Sequence, residues 1–408
     1  MESRSVVVIG AGPSGAVASA LLKRRGHDVV VLERQQFPRF SIGESLLSHC
    51  LDFLEEAGML EAVQAAGFQF KNGAAFAWGD KRAEFDFGQK FTNGKDSAFQ
   101  VQRGRFDKLL ADEAAKQGVE IRYGVDVVDV KTDDDGATLT TVDEGGKTSQ
   151  IHAKFMLDAS GFGRVLPRLL ELDSPSAFPV RHAVFTHIED RIDDPSFDRN
   201  KILITVHPER RDIWYWLIPF ADGRASIGAV AVKEYFESDP PDAEVRLRRL
   251  VSEDPGLSKL LANAVWDTPA REIGGYSANV RAMHGPTFAL LGNAAEFLDP
   301  VFSSGVTIAM RSSSLAASVL DRQLRGESVD WEADFAVPLK KGVDTFRAYV
   351  NAWYDGRFQD VIFHTNEQSD VRKMICSILA GYAWDQKNPY VSEPQRRLNV
   401  LVELCAPN

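Results

Sequence analysis

The sequence is poor in cysteine: three in 408 residues, Cys50, Cys376 and Cys405, far apart and without a Cys-x-x-Cys pair. That spacing offers neither a disulfide framework nor a zinc site, and no metal centre is expected. Basic residues are not in surplus. Lys and Arg total 47 against 58 Asp and Glu, a net charge of -11, which repels a nucleic-acid backbone. No stretch approaches about 20 apolar residues without a charge, so no membrane span is expected. Met1-Glu2-Ser3-Arg4 leads straight into an apolar strand pattern, without the basic and long apolar regions of a secretory signal. A reduced, cytoplasmic protein is the expectation. Low-complexity segments, internal repeats and linkers are also absent. What remains is an ordinary globular balance, 44% hydrophobic and 26% charged, on a chain long enough for two or three domains or one interleaved body.

Residues 5–9 read Ser-Val-Val-Val-Ile, the continuous apolar run of a parallel strand buried on both faces. A glycine-rich turn follows at 10–15, then a helix over 16–25 ending at Gly26, then a second buried strand over 28–32. This is a βαβ unit opening at the first strand. A helix is expected over 106–117, and strands over 120–123, 125–131, 137–142 and 150–157, separated by Asp/Gly-rich turns. The middle changes period. Segments 182–188, 201–207, 213–219 and 225–232 predict a second, largely antiparallel sheet. Residues 243–264 read as helix broken at Pro255-Gly256, 287–291 as a short buried strand, 305–325 as helix, and 331–383 as several helices without sheet.

Gly10-Ala11-Gly12-Pro13-Ser14-Gly15 carries the first chemistry. Its glycines permit a tight turn, close backbone approach to a pyrophosphate, and close packing of helix on strand. The free N–H groups at the helix start then face the phosphates. Glu33 ends the second strand, placed to bond adenosine ribose hydroxyls. The motif alone leaves NAD and FAD open.

The continuation Glu33-Arg34-Gln35-Gln36-Phe37-Pro38-Arg39-Phe40-Ser41-Ile42-Gly43-Glu44-Ser45 resembles the flavin-dependent halogenases, within the FAD monooxygenases similar to p-hydroxybenzoate hydroxylase. The resemblance runs from residue 5 to 391. It implies FAD held by Gly10, Gly12, Pro13, Ser14, Gly15, Glu33 and Arg34, with Arg39 and Ser45 nearby. Val101-Gln102-Arg103-Gly104-Arg105-Phe106-Asp107 resembles the family's V-x-R-x-x-F-D segment, which puts Arg103 on the cofactor, and Val127 is the position that meets adenine. Asp158-Ala159-Ser160-Gly161 resembles a D-A-S-G turn, in place of the D-G turn that many hydroxylases use for both FAD and NADPH. With no second dinucleotide fingerprint, reduced FAD is expected from a separate flavin reductase. Gly292-Asn293-Ala294-Ala295 and Asp299-Pro300 resemble the second FAD motif. Asn293 replaces the family's Asp and removes a charge, but it can still bond a ribityl chain. Gly292, Pro300, Gly305 and Val306 complete the implied cofactor contacts.

Trp214-Tyr215-Trp216-Leu217-Ile218-Pro219 resembles the W-x-W-x-I-P motif that sets these halogenases apart from hydroxylases. Two residues apart on a strand, both indoles face one side and would wall flavin from substrate. Phe68 to Gly79 resembles the strand that carries the catalytic lysine of the phenol and pyrrole subgroup, which assigns that role to Lys71. An amine in an apolar wall has a lowered pKa and can bond hypohalous acid or hold its halogen. Ser304 and Gly305, at a helix start suited to an anion, match the family's halide site. Phe302 stands where tryptophan halogenases carry Glu, implying a phenolic or pyrrolic substrate. Residues 378–391 resemble a C-terminal segment of the subgroup. Phe346, Tyr349, Trp353 and Tyr354 have helical spacing and are expected in core.

The expected fold class is α/β: a Rossmann-type FAD-binding domain interleaved with a mainly antiparallel β-sheet substrate domain, plus a helical C-terminal region. The FAD domain takes 1–70, 101–180 and 276–330, the substrate-side sheet 71–100 and 181–275, and the helical region 331–408. The expected function is halogenation of an electron-rich aromatic, free or carrier-protein-tethered, using FADH2, O2 and chloride or bromide through hypohalous acid directed by Lys71. The alternative is an FAD monooxygenase or dehydrogenase on the same scaffold, which Asn293 keeps open. A flavin-binding protein without turnover is a third reading.

Overall fold

The computed structural model describes residues 1–236, 242–364 and 370–405. Parts of the expected substrate-side sheet (237–241) and C-terminal region (365–369 and 406–408) lie outside the described residues.

Val6, Val7 and Val8 are fully buried in strand Glu2–Ile9, as the unbroken apolar run requires of a strand covered on both faces. It pairs in parallel with Val29–Glu33 on one side and Thr148–Asp158 on the other. Glu120–Tyr123 extends the sheet beyond Val29–Glu33, and Phe288–Leu290 beyond the end of Thr148–Asp158, both in parallel. Val125–Asp133 and Gly136–Asp143 form an antiparallel hairpin that joins the first half of Thr148–Asp158. Helix Pro13–Arg24 starts three residues earlier than the sequence pattern suggests, because Pro13 occupies its first turn with its fixed φ and no N–H to lose. It packs directly on helix Gly305–Leu324. Ser313 Oγ donates to the Ser14 carbonyl at 2.8 Å across that contact.

The second sheet has seven strands in the order Arg271–Gly274, Arg181–Glu189, Arg224–Val232, Trp214–Pro219, Lys201–Val206, Gly73–Trp78, Lys81–Asp86. Every pairing is antiparallel except that of Lys201–Val206 with Gly73–Trp78. Alternation decides its faces. Phe185, Ile202, Ile204, Trp214, Trp216 and Ile218 face the nucleotide-binding half. Val184, Ile188, Tyr215, Leu217 and Ile227 face the other way, under helices Ala243–Glu253 and Pro255–Leu260. The break between those helices is Asp254, whose carboxylate caps the second at Leu257 N.

Residues 69–71 were expected to continue one strand with 73–79. Instead Gln69–Lys71 pairs with Ala98–Gln100 in a separate two-stranded sheet, and Gly73–Trp78 begins afresh in the large one. The chain turns at Asn72, whose N–H donates to Asn200 O and whose carbonyl accepts from Phe87 N. Lys71 thus sits at the seam between the sheets. C-terminal helices Val337–Tyr354, Arg357–Ile362, Asp370–Leu379 and Pro394–Cys405 cap this seam without adding strands. Phe346, Tyr349 and Trp353 are buried there as core.

Gly228 shows how tightly the second sheet is closed. A Cβ at that position would lie 2.2 Å from the Trp216 ring, which is itself buried and bonded to Ser226 Oγ through Nε1 at 3.0 Å. Gly228→Ala is therefore expected to lower unfolding stability by about 1–3 kcal/mol, read as a fall in the denaturant midpoint at constant slope.

Candidate active site

The two sheets enclose a cleft of about 300 Å³. One end is the turn after the first strand. Gly10, Gly12, Pro13 and Ser14 line it. Gly10 has φ +97°, and a Cβ there would sit 2.7 Å from Ala159 O. A Cβ on Gly15 would sit 1.9 Å from Gly10 O, so Gly15 lies behind the turn as a packing glycine. At Gly12 a Cβ would meet only Arg39 Nη2, at 3.4 Å. The backbone is open to the cleft there, and the helix start has no side-chain cap, which leaves its N–H groups to a phosphate.

Glu33 lies at the lip, its Oε2 accepting from Ala11 N and its Oε1 from Gln35 N, both at 2.9 Å. Each oxygen keeps a lone pair for a hydroxyl. Arg34 and Val127 line the same end. Asp158 does not. It is fully buried and holds the adjoining turn, accepting from Ser160 N at 2.9 Å and Leu166 N at 2.7 Å. Ala159 and Ser160 present the surface that it braces.

Arg39 and Arg103 both reach the cleft and share one buried carboxylate. Arg103 binds both oxygens of Asp107, at 2.7 and 3.0 Å, while Arg39 Nη1 stands 3.2 Å from Oδ2. Two cations on one anion leave a net positive charge facing the cleft, matched to a diphosphate. Arg103 Nη1 also donates to the carbonyls of Ile42 and Gly43. The following Glu44 bonds His187 Nε2 at 2.6 Å, so loop 39–45 is pinned to helix Arg103–Lys116 and to the second sheet.

Trp214 and Trp216 line the opposite wall, with ring centroids 5.9 Å apart. Trp214 Nε1 donates to Tyr354 OH at 2.9 Å. Asn293, Pro300, Gly305 and Val306 line the floor, while Gly292 packs behind them against Ala309. Helix Gly305–Leu324 points its uncapped start at the cleft. Ser304 is 2% exposed and is not part of the lining. Ser303 is, held at φ +56°.

Lys71 is 1% exposed. Its Nζ donates to Ser45 Oγ and Leu46 O, both at 2.8 Å, and Ser45 lines the cleft. Cys50, close enough to act electrostatically on Lys71, contacts Thr307 Oγ1 at 3.1 Å, in the first turn of helix Gly305–Leu324. No carboxylate forms an ion pair with Lys71 among the described residues. Burial therefore drives its pKa down to about 7.

Sequence reading missed the contacts that join distant segments: Glu44 with His187, Cys50 with Thr307, and Tyr354 with Trp214. Phe162 and Phe297, which stack edge to face at the cleft, also left no motif. Nothing in local periodicity marks such pairs.

Residues 3–336 match the model of the FAD binding domain. The chain is 26% identical over 422 residues to the 1H-pyrrole-2-carbonyl-[peptidyl-carrier protein] chlorinase of Pseudomonas fluorescens, spanning 98% of this chain and 93% of that protein. A flavoprotein/dehydrogenase from Cytophaga hutchinsonii superposes with a TM-score of 0.95 at 43% identity over 99% of each chain. The flavin-dependent brominase Bmp2 gives a TM-score of 0.85 at 25% identity, over 99% of this chain and all of that one. The glycine turn, the arginine pair and the carboxylate at the lip fit FAD.

Because a Cβ at Gly12 meets no backbone, Gly12→Val is expected to fold with native circular dichroism yet purify with less than about a tenth of the flavin absorbance, since the side chain occupies the pyrophosphate's approach.

Proposed function

Because this chain belongs to the FAD-dependent halogenases, within the FAD binding domain family, we propose that it halogenates an electron-rich phenolic or pyrrolic ring and that Lys71 directs the halogen. The enzyme is an oxidoreductase that uses FAD and a halide. The observation that carries the reading is the placement of Lys71: sealed from solvent, bonded to Ser45 of the cleft wall, and near Cys50, which contacts the first turn of helix Gly305–Leu324.

Reduced FAD, when bound, supplies the electrons for dioxygen. The chain's residues do the rest. Gly10, Gly12 and the start of helix Pro13–Arg24 take the pyrophosphate, and Glu33 the ribose. Arg39 and Arg103 offset the phosphate charge. The N–H groups of Gly305 and Val306, beside Ser303 on the cleft wall, would hold the halide. Trp214 and Trp216 keep the ring substrate off the flavin. Ser45 Oγ and Leu46 O fix Lys71 Nζ, whose lowered pKa leaves much of it as free amine near neutral pH. The amine meets hypohalous acid: an N–halogen bond forms as water leaves. Attack by the ring carbon breaks that bond, the ring proton is lost, and the amine is restored.

Residues 1–70, 101–180 and 276–330 would serve the cofactor, 71–100 and 181–275 the substrate side, and 331–408 the substrate's approach. The carrier-tethered pyrrole named for the Pseudomonas fluorescens relative supports a tethered pyrrole as one substrate, with a separate flavin reductase as partner. A second reading, an FAD-dependent dehydrogenase or monooxygenase, is favoured by the flavoprotein/dehydrogenase at 43% identity. Halide-dependent product decides between them.

Mass spectrometry of phenol and pyrrole libraries with reductase, chloride and bromide tests the reading. Lys71→Ala and the longer Lys71→Met are expected to lower halogenated product at least about 100-fold, with FAD content and oxygen uptake retained. Wild-type product formation should rise with pH to a half-point near the lysine's pKa of about 7, because only the free amine accepts the halogen. Unchanged product in both variants rules out the relay. NADPH alone, without a reductase, is expected to leave the bound flavin oxidised over the seconds of a stopped-flow record.

A further inference from the structure

Behind Trp214 lies a buried polar cluster that the proposed chemistry does not use. It gathers Arg181 from the start of strand Arg181–Glu189, Tyr276, Asp299 just ahead of the cleft residue Pro300, and Tyr354 from the end of helix Val337–Tyr354. Tyr354 OH donates to Asp299 Oδ2 at 2.8 Å and accepts from Trp214 Nε1 at 2.9 Å. Asp299 Oδ1 accepts from Val301 N at 3.0 Å. The Arg181 guanidinium carbon lies 3.3 Å from the Tyr354 ring centroid.

These bonds leave donors over. Arg181 is 5% exposed and Tyr276 6%. Arg181 Nε, Arg181 Nη1 and the Tyr276 hydroxyl are buried without a hydrogen-bond partner. Among the described residues no carboxylate stands within ion-pair distance of Arg181. Asp299 is its nearest counter-charge in electrostatic effect, and burial raises that carboxyl to about 6. Buried donors without partners are costly. A buried cation held by stacking and not by a carboxylate calls for an anion.

We propose that Arg181 and Tyr276 form a second halide-binding site, separate from the start of helix Gly305–Leu324. The inference rests on the halogenase reading above. The donors come from two side chains without a shared fork, which suits a monatomic chloride or bromide that accepts from any direction. A carboxylate or phosphate would bring more oxygens than these donors could satisfy. The cluster borders the cleft: Trp214 bonds Tyr354, Phe297 packs edge to face on Tyr276, and both line the cleft. A halide held here stands one loop away from the helix start that uses it.

The test takes crystals of the FAD-loaded enzyme in sodium bromide, with anomalous diffraction at the bromine edge, beside the bromide dependence of product formation. Bromide is expected within hydrogen-bonding distance of Arg181 and of Tyr276 OH. Arg181→Met should raise the KM for bromide about tenfold or more, with kcat changed less. Tyr276→Phe keeps the ring and the fold, and should raise that KM severalfold. Bromide only at the Gly305 turn, or water alone at Arg181, overturns the second site while halide-dependent product keeps the halogenase reading. A peak at Arg181 with the KM unchanged in both variants marks an adventitious ion only and overturns it too. Absence of both bromide and halide-dependent product overturns both readings.

Discussion

Asp107 is a fully buried carboxylate whose two oxygens are taken by arginines, and the cleft is organised around it. Its helix, Arg103–Lys116, belongs to the nucleotide-binding half. Arg103 carries its influence to the carbonyls of Ile42 and Gly43. The loop so held delivers Glu44 to His187 of the other sheet and Ser45 to Lys71. Removing one partner from such a buried group commonly costs about 3–5 kcal/mol. Here it would also free the segment that forms one wall of the cleft and orients the buried amine.

The two buried charges on either side of the cleft are handled differently from this trio. Lys71 has hydrogen bonds but no carboxylate, and Asp299 has hydrogen bonds but only stacked arginine nearby. Desolvation therefore moves both toward their neutral forms, one down to about 7 and the other up to about 6. Near neutral pH this leaves part of Lys71 as free amine, while Asp299 stays mostly ionised.

How much of this was legible beforehand depended on whether the constraint was local. Gly10, Gly12 and Gly15 each answer a steric demand within a few residues, and the acid at Glu33 follows at the end of the next strand. Alternation gave Trp214 and Trp216 a common face because strand geometry enforces it. The burial of Lys71 could be expected from its apolar flanks. Its placement on a strand apart from Gly73–Trp78 could not, since the turn at Asn72 is fixed by Asn200 and Phe87, far along the chain or across it. The same holds for the lining serine. Backbone twist at φ +56° puts Ser303 on the cleft and turns Ser304 inward, and adjacent serines in a sequence carry no sign of which will face the ligand.

Trp214 is fixed by a residue 140 positions later in the chain, through its bond to Tyr354. The ribosome therefore completes the glycine turn, the second sheet and the helix at Gly305 before it has made the tyrosine that steadies the indole. At about 5–20 residues per second, the stretch from the end of that helix to Tyr354 takes a few seconds. In that time the nascent chain can already present a cofactor cradle whose far wall is loose. The last helices finish that wall, so the order of synthesis makes the nucleotide cradle before the bond that steadies the indole facing it.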